Sequence, residues 1–304
     1  MRNVRGVTSV NHQVPESATL ARRLTNLISS SPKLHSSWAS CNRLFFYRPT
    51  TRIFGPVSIP GPYNFGDLLS PIVVNALTNG LKRNSRNRLM SIGSIMHFAH
   101  DHDTIWGSGV NGKIPSDQIK ARNLDIRAIR GPLSRKVLKM RGLESPDVYG
   151  DPGLLLSALM PETHPGSRGT SILLVPNYND TQLYEIADKP VHHKLISPFG
   201  SPAAILAAIL DAEIVLTSSL HILICAEALG TPVRLVLLDG HEEAIFKYED
   251  YFEGTGRCMQ PVFRSFMTAL ESNSYAPLDF DATKLLQAFP IEQFVDQSLG
   301  KNPV

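Results

Sequence analysis

Where the run from Glu213 to Gly230 passes from a buried apolar strand into a helix, two serines and a histidine occupy the turn: Ser218, Ser219, Leu220 and His221. A helix N-terminus leaves backbone N–H groups without partners and carries partial positive charge, so this turn suits a phosphate or a carboxylate. His221, in the first turn, would donate a hydrogen bond to a phosphate oxygen or protonate a leaving group. The competing reading is a serine N-cap followed by a packed histidine. A second candidate is Asn64-Phe65-Gly66-Asp67, where Gly66 permits a tight backbone and Asp67 opens a helix. In a cleft, Asp67 would anchor or deprotonate a hydroxyl, with Asn64 as a further polar contact; outside one, it is a helix cap. No G-x-G-x-x-G motif follows a strand here, so this is not a dinucleotide fingerprint.

Arg130 closes a predicted strand just before Gly131-Pro132. Its planar guanidinium is able to clamp a small carboxylate or phosphate, and is equally able to pair with an internal carboxylate such as Asp151. Trp106-Gly107-Ser108-Gly109 reads as a strand running into a glycine turn that approaches a ligand closely, with Ser108 and Gly109 as the contacts. Asp151, in Gly150-Asp151-Pro152-Gly153, would orient a histidine or hydroxyl, or serve the turn alone. His97, His100 and His102, interleaved with Asp101 and Asp103, do not match common zinc spacings, and no metal site is assigned.

These residues need elements to hold them. Short β-rich runs alternate with helical stretches from Arg43 onward, the pattern of βα units around a mostly parallel sheet. Strands are predicted over Leu44–Arg48, Leu89–Ile95, Thr104–Gly107, Ile126–Arg130, Ser171–Val175, Glu213–Thr217 and Val233–Leu238. Helices are predicted over Asp67–Thr78, Pro132–Met140, Pro202–Leu210, Leu220–Leu229 and Ala282–Ala288, with Gly80, Gly142 and Gly230 as stop signals. The Pro, Gly, Ser and Thr-rich loop Met160–Thr170 divides an N-terminal α/β domain, 41–162, from a C-terminal one, 168–304. The expected fold is α/β, with two Rossmann-like doubly wound domains facing a cleft and ligands at the carboxyl ends of their strands.

The 304 residues, 42% hydrophobic and 19% charged, suffice for a substantial core. Thirty basic against 27 acidic residues give a net charge of +3, which offers no nucleic-acid surface. Cys41, Cys225 and Cys258 form no CxxC pair and suggest a reducing compartment. No apolar run reaches 18 residues, so the expectation is a cytoplasmic protein without a membrane span. Residues 1–40 are basic and serine-rich, with Arg2, Arg5, Arg22, Arg23 and Lys33 against Glu16 alone, and read as a flexible extension. Such a segment would permit peripheral association with the inner face of a membrane.

Taken together, Asn64-Phe65-Gly66-Asp67, Ile92-Gly93-Ser94, Trp106 to Gly109, Arg130 to Ser134, Asp151 to Leu155, Pro176-Asn177, Ser218 to His221 and Ala226 to Gly230 resemble, in their order, the polysaccharide pyruvyl transferases. The resemblance covers roughly residues 60 to 235 and implies a two-domain fold similar to the GT-B glycosyltransferases. It also implies phosphoenolpyruvate as donor substrate, no further cofactor, and a sugar, oligosaccharide or lipid-linked glycan acceptor that becomes a cyclic pyruvate ketal. By the same resemblance Leu220 and His221 match the family's Leu-His pair at the phosphoenolpyruvate site. Arg130 matches its strand-end arginine, and Asn64, Gly66 and Asp67 its early cleft motif. The sequence departs at Ser219, where many members carry arginine, and at Ile222, where they carry glycine. Those departures keep two rivals open: a nucleotide-sugar glycosyltransferase of GT-B-like fold, and a non-catalytic glycan-binding relative.

Overall fold

In a computed structural model, the protein is described over residues 65–78, 83, 85, 87–159, 169–273 and 277–294. The segment 1–40, the expected strand Leu44–Arg48, Asn64, Gly80 and the side chain of Asp67 lie outside this description, as does most of the loop after Leu159.

Helix α1, Phe65–Thr78, starts two residues ahead of the predicted Asp67 and continues through Pro71, which removes one backbone hydrogen bond from its interior. Strands β1 (Leu89–Met90), β2 (Thr104–Trp106) and β3 (Asp125–Ala128) form a parallel sheet in that order. The predicted strand Leu89–Ile95 is thus cut to two residues. Gly93, at φ 125°, turns the chain out of line, and Gly107, at φ 87°, does the same just past β2. Helix α2, Pro132–Met140, matches its prediction at both ends. Proline, lacking an N–H, suits the first turn, and Gly142, at φ 74°, supplies the left-handed residue just beyond the last turn. A short 3₁₀ turn, Pro152–Leu155, then leads into α3, Leu156–Leu159.

The second half runs β4 (Ile172–Val175), α4 (Thr181–Ile186), β5 (His193–Leu195), α5 (Pro202–Asp211), β6 (Ile214–Thr217), α6 (Leu220–Ala228) and β7 (Val233–Val236). It continues with α7 (Phe246–Gly254), β8 (Val262–Phe263), α8 (Phe266–Glu271) and α9 (Thr283–Gln287). Its strands form a five-stranded parallel sheet ordered β5-β4-β6-β7-β8. Parallel neighbours joined through helices make this a mixed α/β, Rossmann-like arrangement. The chain goes outward from β4 to β5 and returns to β6, so the strand order reverses between β4 and β6, where α/β sheets open a crevice for ligands.

Alternation along the strands distributes the core. Trp106 and Ala128 in the first sheet, with Leu173, Val175, Val215 and Leu235 in the second, join one large apolar cluster, together with α1, α6 and the tail residues Leu285 and Phe289. Their neighbours Ile105 and Ile129 face a second cluster, and Leu174, Leu216 and Val236 a third. Both faces of each sheet are covered, as parallel sheets require. Helix α6 is buried at Leu220 and from Ile222 to Ala228, an apolar cylinder wedged into the shared core.

Candidate active site

The ends of β4 and β6 meet at the reversal point, with α7 packed against them. Thr217 Oγ1 donates to the Val175 carbonyl (2.6 Å) and accepts from Ser219 N–H (2.8 Å), which fixes the turn into α6. Ser218 is fully buried; its hydroxyl accepts from Asn177 N–H (2.8 Å) and its carbonyl accepts from Tyr248 Oη (2.6 Å). Ser218 therefore ties β4, β6 and α7 together. Ser219 occupies the N-cap of α6, yet its side chain makes no capping bond. Leu220 is core. Of the sequence-derived residues on this turn, His221 is the one with unspent chemistry: its Nε2 is sealed from solvent and has no hydrogen-bond partner.

The electrostatics of His221 follow from its neighbours. Burial, then the Lys247 ammonium and the Arg130 guanidinium, pull its pKa down to about 3, so the imidazole is neutral at physiological pH. Gly66, from α1, packs flat against this ring: a methyl group at Gly66 would sit 2.1 Å from His221 Nδ1. Glycine is needed here for close approach, since Gly66 has no positive φ.

Arg130 is placed differently from the expected ligand clamp. It is fully buried, donating from Nε to Asp250 Oδ2 (2.9 Å), from Nη1 to Ser94 Oγ and from Nη2 to the Val110 carbonyl (2.8 Å). Its partner carboxylate is thus Asp250 of α7, not Asp151, because Asp250 also accepts from the N–H and hydroxyl of Ser134 at the start of α2 (2.7 and 2.6 Å). Three good donors repay the desolvation of this buried carboxylate. Ser108 and Gly109 serve that arginine. Ser108 Oγ donates to the Gly93 carbonyl (2.9 Å), and Gly109 leaves room for the guanidinium, whose Cζ a methyl group there would meet at 2.4 Å.

Asp151 caps the 3₁₀ turn at Pro152 by accepting from Gly153 N–H (2.9 Å), while Oδ2 has no partner. Burial pushes its pKa up to about 6, against the pull of the Gly153 N–H and of Arg130. The histidines 97, 100 and 102 do not converge: among the described residues no group of three His, Cys, Asp or Glu side chains is placed to hold a metal ion. Asp101 instead accepts from the N–H groups of Arg122 and Asn123 (2.6 and 2.9 Å), and Asp103 pairs with Arg88.

The sequence reading missed the contribution of the segment after β7. Lys247, nearly buried in α7, donates to Glu243 Oε2 (2.7 Å), while Glu243 Oε1 accepts from Asn179 (2.7 Å) and Lys113 (3.4 Å). Burial pushes Glu243 upward, but the Lys247 charge and these hydrogen bonds outweigh it and hold the carboxyl at about 2. Lys247 is lowered by burial despite that partner. His241 Nδ1 pairs with buried Asp180 (2.7 Å), and its Nε2 has no partner. The only hint in the sequence was the density of charge between Asp239 and Asp250 in an otherwise apolar half. A groove lined by Leu154, Phe280 and Leu286 lies at the far end of α6, and its ionisable residue, Glu227, is already held by Tyr251 and Arg257.

A half-buried histidine whose Nε2 is sealed and unpartnered thus stands in the first turn of α6, with the charges of Lys247 and Arg130 acting on it. A family model described as polysaccharide pyruvyl transferase matches residues 25–239. The chain belongs to that family. The match starts well before residue 60, where the sequence resemblance began, and ends just short of His241, Lys247 and Asp250. This member of a transferase family also carries, beyond the matched stretch, Lys247, whose charge acts on His221, and Asp250, which pairs with Arg130. No curated protein matches the chain. Among the described residues no helix is long and apolar enough to cross a membrane.

Proposed function

We propose that this protein transfers the enolpyruvyl group of phosphoenolpyruvate to a glycan sugar and closes it as a cyclic pyruvate ketal. The observation that carries this reading is the open Nε2 of His221 at the N-terminus of α6, within electrostatic reach of Lys247 and Arg130. A small, multiply charged anion fits that combination. The first-turn N–H groups of α6 lack intrahelical acceptors and would take phosphate oxygens, and Lys247 would add charge from α7. Arg130, spent on Asp250, acts through its field and by fixing the loops after β1 and β2.

In the reaction, C3 of the enolpyruvyl group gains a proton while one sugar hydroxyl adds to C2 and loses its own. A second hydroxyl of the same sugar then attacks C2, the C2–O bond to phosphate breaks, and its proton leaves with inorganic phosphate. At a pKa of about 3, His221 has no proton to give until the donor's negative charge arrives and raises it. The imidazole thus serves first as a neutral hydrogen-bond partner and becomes an acid once the anion is bound. Asp67 is assigned to the acceptor side as hydroxyl anchor or base, with Asn64 beside it. The two sheets, read as domains 41–162 and 168–304, would face each other as in GT-B enzymes, with both sets of strand ends supplying the site. Cytoplasmic work on a lipid-linked glycan, with the basic N-terminus against the membrane, belongs to the same reading.

The test is phosphate release from phosphoenolpyruvate with galactosyl, glucosyl and mannosyl acceptors, beside His221→Ala. Acceptor-dependent release lost in the variant supports the reading. Turnover of a nucleotide sugar in its place, or silence together with no thermal shift by phosphoenolpyruvate, refutes it.

A further inference from the structure

Tyr178 stands in the 3₁₀ turn just after β4 and is 54% exposed, beside Asn179, which is also exposed. An isolated surface aromatic would need no explanation. This one is paired: its ring meets that of Phe199 edge to face, with centroids 6.1 Å apart and planes at 73°. Phe199 comes from the loop after β5, so the pair bridges two strand ends at the rim of the reversal point. Three short links fasten it to the His221 centre. Asn177, next to Tyr178, donates its N–H to Ser218 Oγ (2.8 Å). Pro198, next to Phe199, accepts from Phe65 N–H (2.8 Å), and Phe65 adjoins the Gly66 that touches His221. Asn179 reaches Glu243 (2.7 Å), which holds Lys247.

An aromatic pair with Tyr178 exposed and Phe199 half-buried beside it, next to His221, has the character of a sugar platform. A pyranose presents an apolar face of C–H groups, whose slight positive charge matches the negative face of an aromatic ring. Its hydroxyls, projecting around the edge, would meet Nδ2 of Asn177 and Oδ1 of Asn179, the amide atoms left over once Asn177 Oδ1 accepts from Asn179 N–H (3.0 Å) and Asn179 Nδ2 donates to Glu243 (2.7 Å). Resting on the pyruvyl-transfer reading, we propose that Tyr178 and Phe199 form the stacking platform for the acceptor sugar ring. The acceptor's reacting hydroxyls are thereby held toward His221, and the aromatic pair sets which sugar face is accepted.

The full chain is assayed with methyl β-D-galactopyranoside, methyl β-D-glucopyranoside and methyl α-D-mannopyranoside, in wild type, Tyr178→Ala, Tyr178→Phe and Phe199→Ala. Exposed Tyr178 tolerates truncation without loss of the fold. Tyr178→Ala should raise the acceptor KM about tenfold, equivalent to about 1.4 kcal/mol. The phosphoenolpyruvate KM should stay within about twofold, because uniform acceptor binding alone is lost. Tyr178→Phe, which keeps the ring, should behave as wild type. Equal changes in both KM values, or none, overturn the platform. Saturation transfer from protein to sugar ring protons judges it independently of turnover: contact in wild type that Tyr178→Ala abolishes supports it even if no phosphate is released. No contact in wild type with any of the three glycosides overturns it, whether or not phosphoenolpyruvate shifts the melting temperature.

Discussion

Replacing Gly66 by alanine tests the centre through a residue with no chemistry of its own. The added methyl would stand 2.1 Å from His221 Nδ1, where ordinary contact begins at 3.4 Å, so one of the two must move by roughly 1.3 Å. The backbone does not resist the change, since Gly66 has no positive φ, and alanine is favoured over glycine in a helix by up to about 1 kcal/mol. The ring is the part free to yield, by rotation about its side-chain bonds, so fold stability should fall little while the imidazole leaves its place. Displacements of about 1 Å at a reacting group cost on the order of 100-fold in rate, or about 2.7 kcal/mol of barrier. Phosphate release with saturating phosphoenolpyruvate and acceptor measures that loss, and thermal unfolding monitors the fold. A cycle with His221→Ala isolates the contact. In the wild-type background Gly66→Ala should lower the melting temperature or leave it flat, whereas in the His221→Ala background, with the obstacle removed, it should raise it. A Gly66→Ala enzyme with rates within about threefold of wild type would refute the claim that His221 must stay where α1 holds it.

Other consequences are open to direct measurement. Asp250→Ala leaves Arg130 buried and unpaired and should destabilise the protein by about 3–5 kcal/mol, seen as a large drop in denaturation midpoint; a drop under about 1 kcal/mol would mean that solvent reaches the guanidinium. For Asp151, whose pKa is raised to about 6, the folded state holds the proton more tightly than the unfolded one, so its penalty is absent in acid and present above pH 6. Asp151→Asn should therefore stabilise by on the order of 1–2 kcal/mol at pH 7.5 and have little effect at pH 4, a difference that melting curves at the two pH values would detect. His221 runs the other way: with its folded pKa near 3, the unfolded chain takes the proton first, and stability is lost as pH falls below 6.5. Its imidazole resonances should show no titration step between pH 5 and 8 in the free protein and acquire one when phosphoenolpyruvate binds; a step near 6.5 without ligand contradicts the buried placement.

Much of this arrangement could be read from residue order. Near-continuous apolar runs marked β4, β6 and β7, and the proline and glycine at the ends of α2 set its limits. The turn from β6 into α6 at Ser218 and Ser219 followed from the strand-to-helix transition. Strand length was less legible: β1 stops at Met90, although the apolar pattern runs on to Ile95 through Gly93, whose positive φ no hydrophobic pattern encodes. Of the two readings open for Arg130, pairing with an internal carboxylate is the one seen, but the partner is Asp250, 120 residues away, and not Asp151. Helix α7 escaped notice since Lys247, Asp250 and the aromatic residues among them bury charge and rings together, leaving no apolar stripe.

The pairing of Arg130 with Asp250 also bears on where this chain can be cut. The family match closes at residue 239, which makes that position look like a natural end for a shortened chain made for expression. Such a fragment would retain most strands of both sheets, yet it would lack the carboxylate that neutralises a cation with no exposed surface. During synthesis the same imbalance exists until α7 emerges from the ribosome, so Arg130 is neutralised only by a late segment of the polypeptide. The acidic residue that locks the first half in place thus works as a checkpoint for completeness: a chain without it holds an unneutralised guanidinium in its core and is exposed to aggregation and degradation.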